Sequence, residues 1–174
     1  VKLDIVDLDG RRLPHDGRTA GEIIVQAPWL TQGYVEDPER SEELWRDGWL
    51  HTGDVGVIDA EGYLKITDRM KDIIKTGGEW ISSLQLEDIL SRHEAVIEAA
   101  VIGISDEKWG ERPLAAVVLN PEYRGRIREG DITAFFREFA EKGEIPAYGV
   151  PEKVALVEAI PKTSVGKINK KALR

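Results

Sequence analysis

The first part of the chain contains short apolar runs, separated by polar and turn residues, that are typical of β-strands. The strand-like runs there are VKLDIVDL, GEIIVQA, VGVID and YLKI. Ala60-Glu61-Gly62 is the short loop of a predicted hairpin between the last two runs. Ahead of that hairpin, DPERSEELW predicts one helix, with Asp37 as its cap and Pro38 at its first helical position.

Two later segments carry apolar residues at helical spacing instead. In the first, residues 86–90, Ser82 and Gln85 predict a capping box ahead of the helix. In the second, residues 132–140, Asp131 is the predicted N-terminal cap and Gly143 the predicted stop. The remaining apolar runs have the length of strands and are AVIEAAVIGI, PLAAVVL and KVALVEAI.

These elements predict an α+β fold in two parts. Residues 1–70 are a β-rich segment, and residues 71–174 are a small domain of two layers, with helices packed on one sheet. The charge-dense stretch DRMKD, residues 68–72, separates the two and is the predicted hinge.

Composition excludes several classes of function. The net charge of -8 argues against binding to nucleic acid or to an anionic membrane surface. The absence of cysteine excludes disulfides and thiolate chemistry, and no apolar run approaches the ~20 residues of a membrane span. We therefore expect a cytoplasmic protein, and a chain that begins mid-strand at Val1 is expected to be a piece of a longer one.

The basic C-terminal segment PKTSVGKINKKALR raises the question of phosphate binding. It fails the phosphate-loop pattern, because Pro161 stands at the first glycine and Ile168 replaces the hydroxyl residue. It nevertheless concentrates positive charge in an acidic chain, with no carboxylate among the cations Lys162, Lys167, Lys170, Lys171 and Arg174. Composition alone favours a solvated basic tail.

Three clusters in a fixed order change that interpretation: WLHTGDVG (49–56), DRMKDIIKTGGEW (68–80) and PKTSVGKI (161–168). Together they resemble the adenylate-forming superfamily of acyl-CoA synthetases, nonribosomal peptide adenylation domains and beetle luciferases. The resemblance extends over nearly the whole chain, including GEIIVQAPWLTQGY and SDEKWGERPLAAVV. The stretch GGEWISSLQLED is most similar to medium- and long-chain fatty acyl-CoA synthetases.

The resemblance implies a role for each cluster in joining a carboxylate to ATP. Lys167, presented beside Gly166, resembles the family's catalytic lysine, which places positive charge where negative charge accumulates. Asp54 corresponds to the ribose ligand, and Arg69 to the residue that helps at the ribose or phosphate. Lys71 falls at the hinge position.

The resemblance also implies further contacts to the adenylate and to coenzyme A. Lys71, Lys75 and Trp80 are expected near the adenylate. The residues expected to bind coenzyme A are Gly77, Gly78, Trp109 and Tyr148. The family's small domain rotates between its two half-reactions, so Lys167 and the Gly77-Gly78 loop act in turn.

The implied substrates are ATP, coenzyme A and a carboxylic acid, which is expected to be a fatty acid. Mg²⁺ is implied as well, with its ligand and the phosphate loop outside these residues, so the chain alone is expected to be inactive. Residues 1–70 are expected to expose apolar surface and to self-associate. Two alternatives remain open: an adenylation domain that loads a carrier protein, and a binding module that kept the fold without the chemistry.

Overall fold

The computed structural model describes all 174 residues, which divide into two compact units, Val1–Lys71 and Asp72–Arg174. Each unit has its own five-stranded sheet and its own helices, so the mixed α+β class is confirmed. No helix in either unit has the length and apolar character that crossing a membrane requires.

The first unit is an antiparallel sheet with one short helix. Its elements are β1 (Lys2–Val6), β2 (Gly21–Gln26), α1 (Pro38–Leu44), β3 (Trp45–Arg46), β4 (Trp49–Ile58) and β5 (Leu64–Arg69). The strands follow the order β1-β2-β4-β3, and β5 pairs with β4. The predicted cap is confirmed, since the Asp37 carboxylate accepts a hydrogen bond of 3.1 Å from the Arg40 N–H.

One face of this sheet forms the core of the first unit. Ile5 and Ile23 are direct cross-strand partners and pack with Ile58, all three nearly inaccessible to solvent. Other large apolar side chains of the unit remain exposed, among them Trp29 at 71% and Val35 at 92%. This unit therefore buries only part of its apolar surface by itself.

The second unit is built on a long antiparallel ribbon. Its elements are β6 (Ile74–Thr76), β7 (Glu79–Ile81), α2 (Ser83–Ser91), β8 (Val96–Asp106), β9 (Gly110–Leu119), α3 (Glu129–Glu141), β10 (Lys153–Leu156) and α4 (Lys170–Leu173). The sheet order is β10-β9-β6-β7, and β8 pairs with β9 along its length. β10 joins β9 in parallel.

Both faces of the β8–β9 ribbon are covered. On one face Val101 and Val117 pack against helix residues that include Leu86 and Phe136, all fully buried. On the other face Ala100 and Val118 pack under apolar residues of the C-terminal segment, Val157, Ile160, Ile168 and Leu173. The basic segment is thus a covering layer of the sheet rather than a solvated tail.

The starts of α2 and α3 compare differently with their predicted form. At α2 the Ser82 hydroxyl accepts from the Gln85 N–H at 3.1 Å, as the predicted cap requires, and the Gln85 side-chain amide donates to the Glu144 carbonyl at 2.8 Å. Helix α3 starts earlier than predicted. Arg128 occupies the N-cap position, and its N–H donates to the Asp131 carboxylate at 2.8 Å.

Two leucines of α2 provide a test of where the second unit is stabilised. Leu86 is fully buried and Leu84 is 48% exposed. Leu86→Ala removes packed methyl groups from the core and is expected to lower the free energy of unfolding by about 2–5 kcal/mol. The matched control Leu84→Ala is expected to cost less than about 1 kcal/mol. Urea unfolding followed by circular dichroism measures both, and equal losses would contradict this placement of the core.

Candidate functional site

Asp54 and Arg69 are direct cross-strand partners on β4 and β5. Arg69 Nε lies 3.4 Å from Asp54 Oδ1, and the Asp54 side chain is 31% exposed. Both line an open pocket of about 410 Å³, together with Lys71. A carboxylate that is ordered yet accessible can accept hydrogen bonds from hydroxyl groups, and the neighbouring guanidinium can bind an anion.

The backbone around Asp54 is held by hydrogen bonds to three neighbours. The Thr52 hydroxyl accepts from the Asp54 N–H at 3.1 Å and donates to the Ile23 carbonyl at 2.8 Å. The Gly53 carbonyl accepts from the Met70 N–H at 2.8 Å. Thr52 is a supporting residue that the sequence did not single out, although it precedes the predicted ligand by two positions.

Gly77 and Gly78 form the two-residue turn of the β6–β7 hairpin. Their φ angles of 60° and 89° lie in the left-handed region that such turns require. Lys75 and Trp80 are direct cross-strand partners next to this turn, so the structure brings together two residues predicted to approach the adenylate. Lys75 is exposed and Trp80 is half-buried.

Trp109, predicted to bind coenzyme A, packs against the same turn. The Gly77 N–H donates to the Trp109 carbonyl at 2.8 Å, and a Cβ at Gly77 would lie 2.9 Å from the indole ring. Trp109 remains 42% exposed, with Lys108 Nζ 4.7 Å from the ring centroid. The close approach requires glycine at position 77, and the exposed ring is available for stacking.

Asp106 orders the turn that carries Trp109. Its carboxylate accepts from the N–H groups of Trp109 and Lys108, each at 3.0 Å. The Trp109 hydrogen bond first, and then that from Lys108, hold the pKa of Asp106 below its ordinary value of 3.8. Asp106 was not singled out from sequence, but an Asp two and three residues ahead of a turn is a recognisable signal.

Tyr148 is the second aromatic residue predicted to contact coenzyme A, and its pKa is affected by a residue of the same hairpin. Burial and the negative charge of Glu79 in β7 raise the pKa of Tyr148 above 10.0, so the phenol is neutral at physiological pH. Tyr148 is 40% exposed. The glycine turn, Trp109 and Tyr148 therefore belong to the surroundings of one hairpin.

Glu111 braces this hairpin from β9. Its carboxylate accepts from the Lys75 N–H, and its carbonyl accepts from the Thr76 hydroxyl, both at 2.9 Å. A Cβ on Gly103 would lie 2.8 Å from the Glu111 carboxylate, so the brace depends on glycine in the neighbouring strand. The sequence offered no signal for this long-range contact.

Lys167 lies in a small hairpin of its own. Lys162 and Ile168 form the bridge at its base, and the Thr163 N–H donates to the Lys167 carbonyl at 2.7 Å. Gly166, with a φ of 80°, donates its N–H to the Thr163 carbonyl at 2.9 Å. The chain reverses within five residues and exposes the lysine.

The cations of this segment are not equivalent. Three of them form ion pairs: Lys162 with Glu98 at 2.9 Å, Lys170 with Glu87 at 2.7 Å and Arg174 with Asp72 at 3.5 Å. Lys167 and Lys171 form none, and both are exposed. Of these two, Lys167 lies on the ordered hairpin, so the segment offers it as an uncompensated charge in a suitable arrangement for binding a phosphate.

The Lys167 hairpin and the glycine turn are attached at opposite ends of the β8–β9 ribbon. Lys162 pairs with Glu98 near the start of β8, whereas Thr76 pairs with Gly110 at the far end. Glu98 and Asp106, which faces Gly110, are eight residues apart, or about 26 Å at about 3.3 Å per residue. One small ligand cannot contact both attachment points at once.

No group of three or more histidine, aspartate or glutamate side chains is placed to hold a metal ion.

Comparison with known proteins found a matching family model and similar sequences. Residues 85–167 match the AMP-binding enzyme C-terminal domain. The whole chain is 45% identical to a 3-methylmercaptopropionyl-CoA ligase of Ruegeria lacuscaerulensis and 44% identical to a long-chain-fatty-acid–CoA ligase of Thermus thermophilus. It covers 31% of each, so the chain spans about a third of the length of these relatives.

The fold is shared with part of a solved CoA synthetase. An o-succinylbenzoate CoA synthetase of Bacillus subtilis, determined with its acyl-adenylate intermediate, matches with a TM-score of 0.80 and 32% sequence identity. The match covers 99% of this chain and 33% of that one.

The contact between Gly77 and Trp109 can be tested with a matched pair of variants. Gly77 and Gly78 both have positive φ, but only at Gly77 does an added Cβ meet the indole ring. Gly77→Ala is therefore expected to displace Trp109 and shift its indole N–H resonance in NMR spectra. Gly78→Ala, which adds similar backbone strain in open space, is expected to leave that resonance in place. A shift of equal size in both variants would refute the contact.

The Asp106 turn should depend on pH in the acid range. Since the folded pKa lies below the ordinary value, the ionised carboxylate stabilises the turn above that value, and the stabilisation is lost as pH falls through the folded pKa. The Trp109 and Lys108 amide resonances are expected to stay constant from pH 7 to about 5 and to move only below 3.8. In Asp106→Asn, which cannot titrate, this movement should disappear; if it persists, another group controls the turn.

Proposed function

We propose that this chain, which belongs to the adenylate-forming superfamily and to its acid–CoA ligases, forms part of an ATP-dependent ligase. The complete enzyme would join a carboxylic acid to AMP with release of pyrophosphate, and would then transfer the acyl group to the thiol of coenzyme A. The observation that carries the proposal is the exposed, unpaired Lys167 on an ordered hairpin.

Lys167 is proposed to act in the first half-reaction. There a carboxylate attacks the α-phosphorus, and negative charge accumulates between two groups that already repel each other. A fixed ammonium stabilises that charge more in the transition state than in the ground state, and this difference lowers the barrier. The ion pairs of Lys162 and Arg174 leave those cations less suited to the role.

Asp54 and Arg69 are proposed to hold the nucleotide. A carboxylate accepts both ribose hydroxyls in other nucleotide-binding folds, and the exposed Asp54 oxygens allow the same contact here. Arg69 contributes a charge-assisted hydrogen bond to the ribose or a phosphate oxygen. Lys71, Lys75 and Trp80 are proposed as further contacts to the adenylate, and residues 68–72 as the hinge.

The second half-reaction is proposed to use the glycine turn. Gly77 and Gly78 are both exposed, with the Trp109 indole beside Gly77 and open space beside Gly78. The narrow pantetheine arm would pass along this turn, where Trp109 and Tyr148 offer aromatic surface to coenzyme A. The separation between this turn and the Lys167 hairpin supports a rotation of the small domain between the two steps.

A fatty acid is the proposed substrate, supported by the fatty acyl-CoA synthetase pattern of GGEWISSLQLED and by the Thermus relative. The acyl pocket, the phosphate loop and the Mg²⁺ ligand are proposed to belong to other parts of the complete enzyme. We accordingly expect this chain alone to be inactive, and the exposed Trp29 and Val35 to favour self-association of the first unit.

Lys167→Ala in the complete ligase tests the proposal. Adenylate formation, followed as pyrophosphate release, is expected to slow by at least ~100-fold, the scale of removing one preorganised charge. Thioester formation from supplied acyl-adenylate is expected to continue, because Lys167 acts only in the first step. The separation of the two half-reactions is the decisive readout.

Lys171→Ala is the matched control, since Lys171 is a second exposed cation of the same segment. It is expected to leave both half-reactions within a factor of about two, because Lys171 lies in the short helix α4 and not on the hairpin that presents Lys167. Equal loss of both half-reactions in Lys167→Ala would refute the assigned role.

A further inference from the structure

Lys170 is the most buried cation of the C-terminal segment. Its side chain is 10% exposed, and its partner Glu87, in α2, is 14% exposed. Lys170 Nζ lies 2.7 Å from Glu87 Oε1 and 2.7 Å from the hydroxyl of Ser83, which is fully buried. The ammonium therefore has two polar partners in a region from which water is largely excluded.

Glu87 connects this pair to the sheet. The same oxygen, Oε1, accepts from the Val101 N–H at 2.8 Å, in the middle of β8. One carboxylate thus joins helix α2, strand β8 and the C-terminal segment. We call Lys170, Glu87 and Ser83 the Lys170 cluster.

The Lys170 cluster lies at the neck of the Lys167 hairpin. Lys170 follows Lys167 by three residues, at most about 10 Å of extended chain. Between them, the Asn169 N–H donates to the Pro161 carbonyl at 2.8 Å and closes the hairpin. Fixing Lys170 therefore fixes the point from which Lys167 projects.

The other ion pairs of the segment are more exposed and constrain the hairpin less. The Lys162 and Glu98 side chains are 49% and 28% exposed, and those of Arg174 and Asp72 are 38% and 17% exposed. Solvent screens such pairs, whereas a buried charge that loses its partner has no compensation. Of the three ion pairs, the one in the Lys170 cluster is therefore the one expected to hold the segment in a fixed position.

We propose that the Lys170 cluster positions Lys167 for adenylate formation, with Glu87 as the anchor and Lys170 as the link. Neither residue touches the reacting atoms in this arrangement; both act through the hairpin. The inference rests on the proposed function, because it assigns these residues a purpose only if Lys167 acts in the first half-reaction.

The test uses the variant Lys170→Met, which keeps the aliphatic stem, and the double variant Lys170→Met/Glu87→Gln, which leaves no unpaired charge in the buried site. The double variant guards against unfolding, because the side-chain carbonyl oxygen of the introduced glutamine can still accept from the Val101 N–H. In the complete ligase, the double variant is expected to slow adenylate formation about 10- to 100-fold, the scale of a small misplacement of a catalytic group. Thioester formation from supplied acyl-adenylate should be unchanged.

A Lys167→Ala background separates positioning from general stability. If the cluster acts through Lys167, adding Lys170→Met/Glu87→Gln to Lys167→Ala should give no further loss of adenylate formation. Equal loss in both half-reactions, or a further loss in the Lys167→Ala background, would overturn the inference. A double variant with unchanged adenylate formation would also overturn it.

Hydrogen exchange in the 174-residue chain gives a readout that does not depend on activity. The amides of Gly166 and Lys167 donate to Thr163, at 2.9 Å and 3.2 Å. The double variant is expected to speed their exchange at least about tenfold relative to the core amide of Val117, while Lys171→Met leaves it unchanged. If Lys167→Ala has no effect on adenylate formation, the proposed function fails; if only the double variant has none and exchange is unchanged, the positioning role alone fails.

Discussion

Burial of the β8–β9 ribbon on both faces is the constraint on which the second unit depends. Helices α2 and α3 cover one face, and the C-terminal segment covers the other with Ile160 and Ile168. Ile168, the residue next to Lys167, therefore packs against a hydrophobic core. A loop attached in this way moves with the unit as one body, and such attachment gives a charged side chain a reproducible position.

The elements of regular structure were largely predictable from local pattern. The strand-like run GEIIVQA and the Asp37-Pro38 start of α1 depend on neighbours in sequence, and both the strand and the helix start are confirmed. The ends of helices were less predictable. The Gln85 side-chain amide donates to the carbonyl of Glu144, which is distant in sequence, and a local pattern does not contain such a contact.

The candidate site likewise combines residues that could be predicted from the sequence with contacts that could not. Gly77 and Gly78 announce a turn, and Asp54 and Arg69 stand out by resemblance. The Asp106 turn has a local signal, but the contacts of Glu111 and Glu87 could not be read from the sequence, because they join residues far apart in it. Glu87 and Lys170 are 83 positions apart, and neither is unusual in its local context. Likewise, the sequence does not show that Lys162 and Arg174 form ion pairs and Lys167 does not. Their partners, Glu98 and Asp72, lie far away in the sequence.

The close approach of Gly103 to the Glu111 carboxylate has a consequence for sequence variation. A side chain at 103 would displace the carboxylate that holds the Lys75 N–H, and a shorter residue at 111 would leave that N–H without its partner. Neither site can change alone without disturbing the hairpin that carries Gly77. Among homologues, positions 103 and 111 should therefore vary together, so that substitutions at one are found with compensating substitutions at the other.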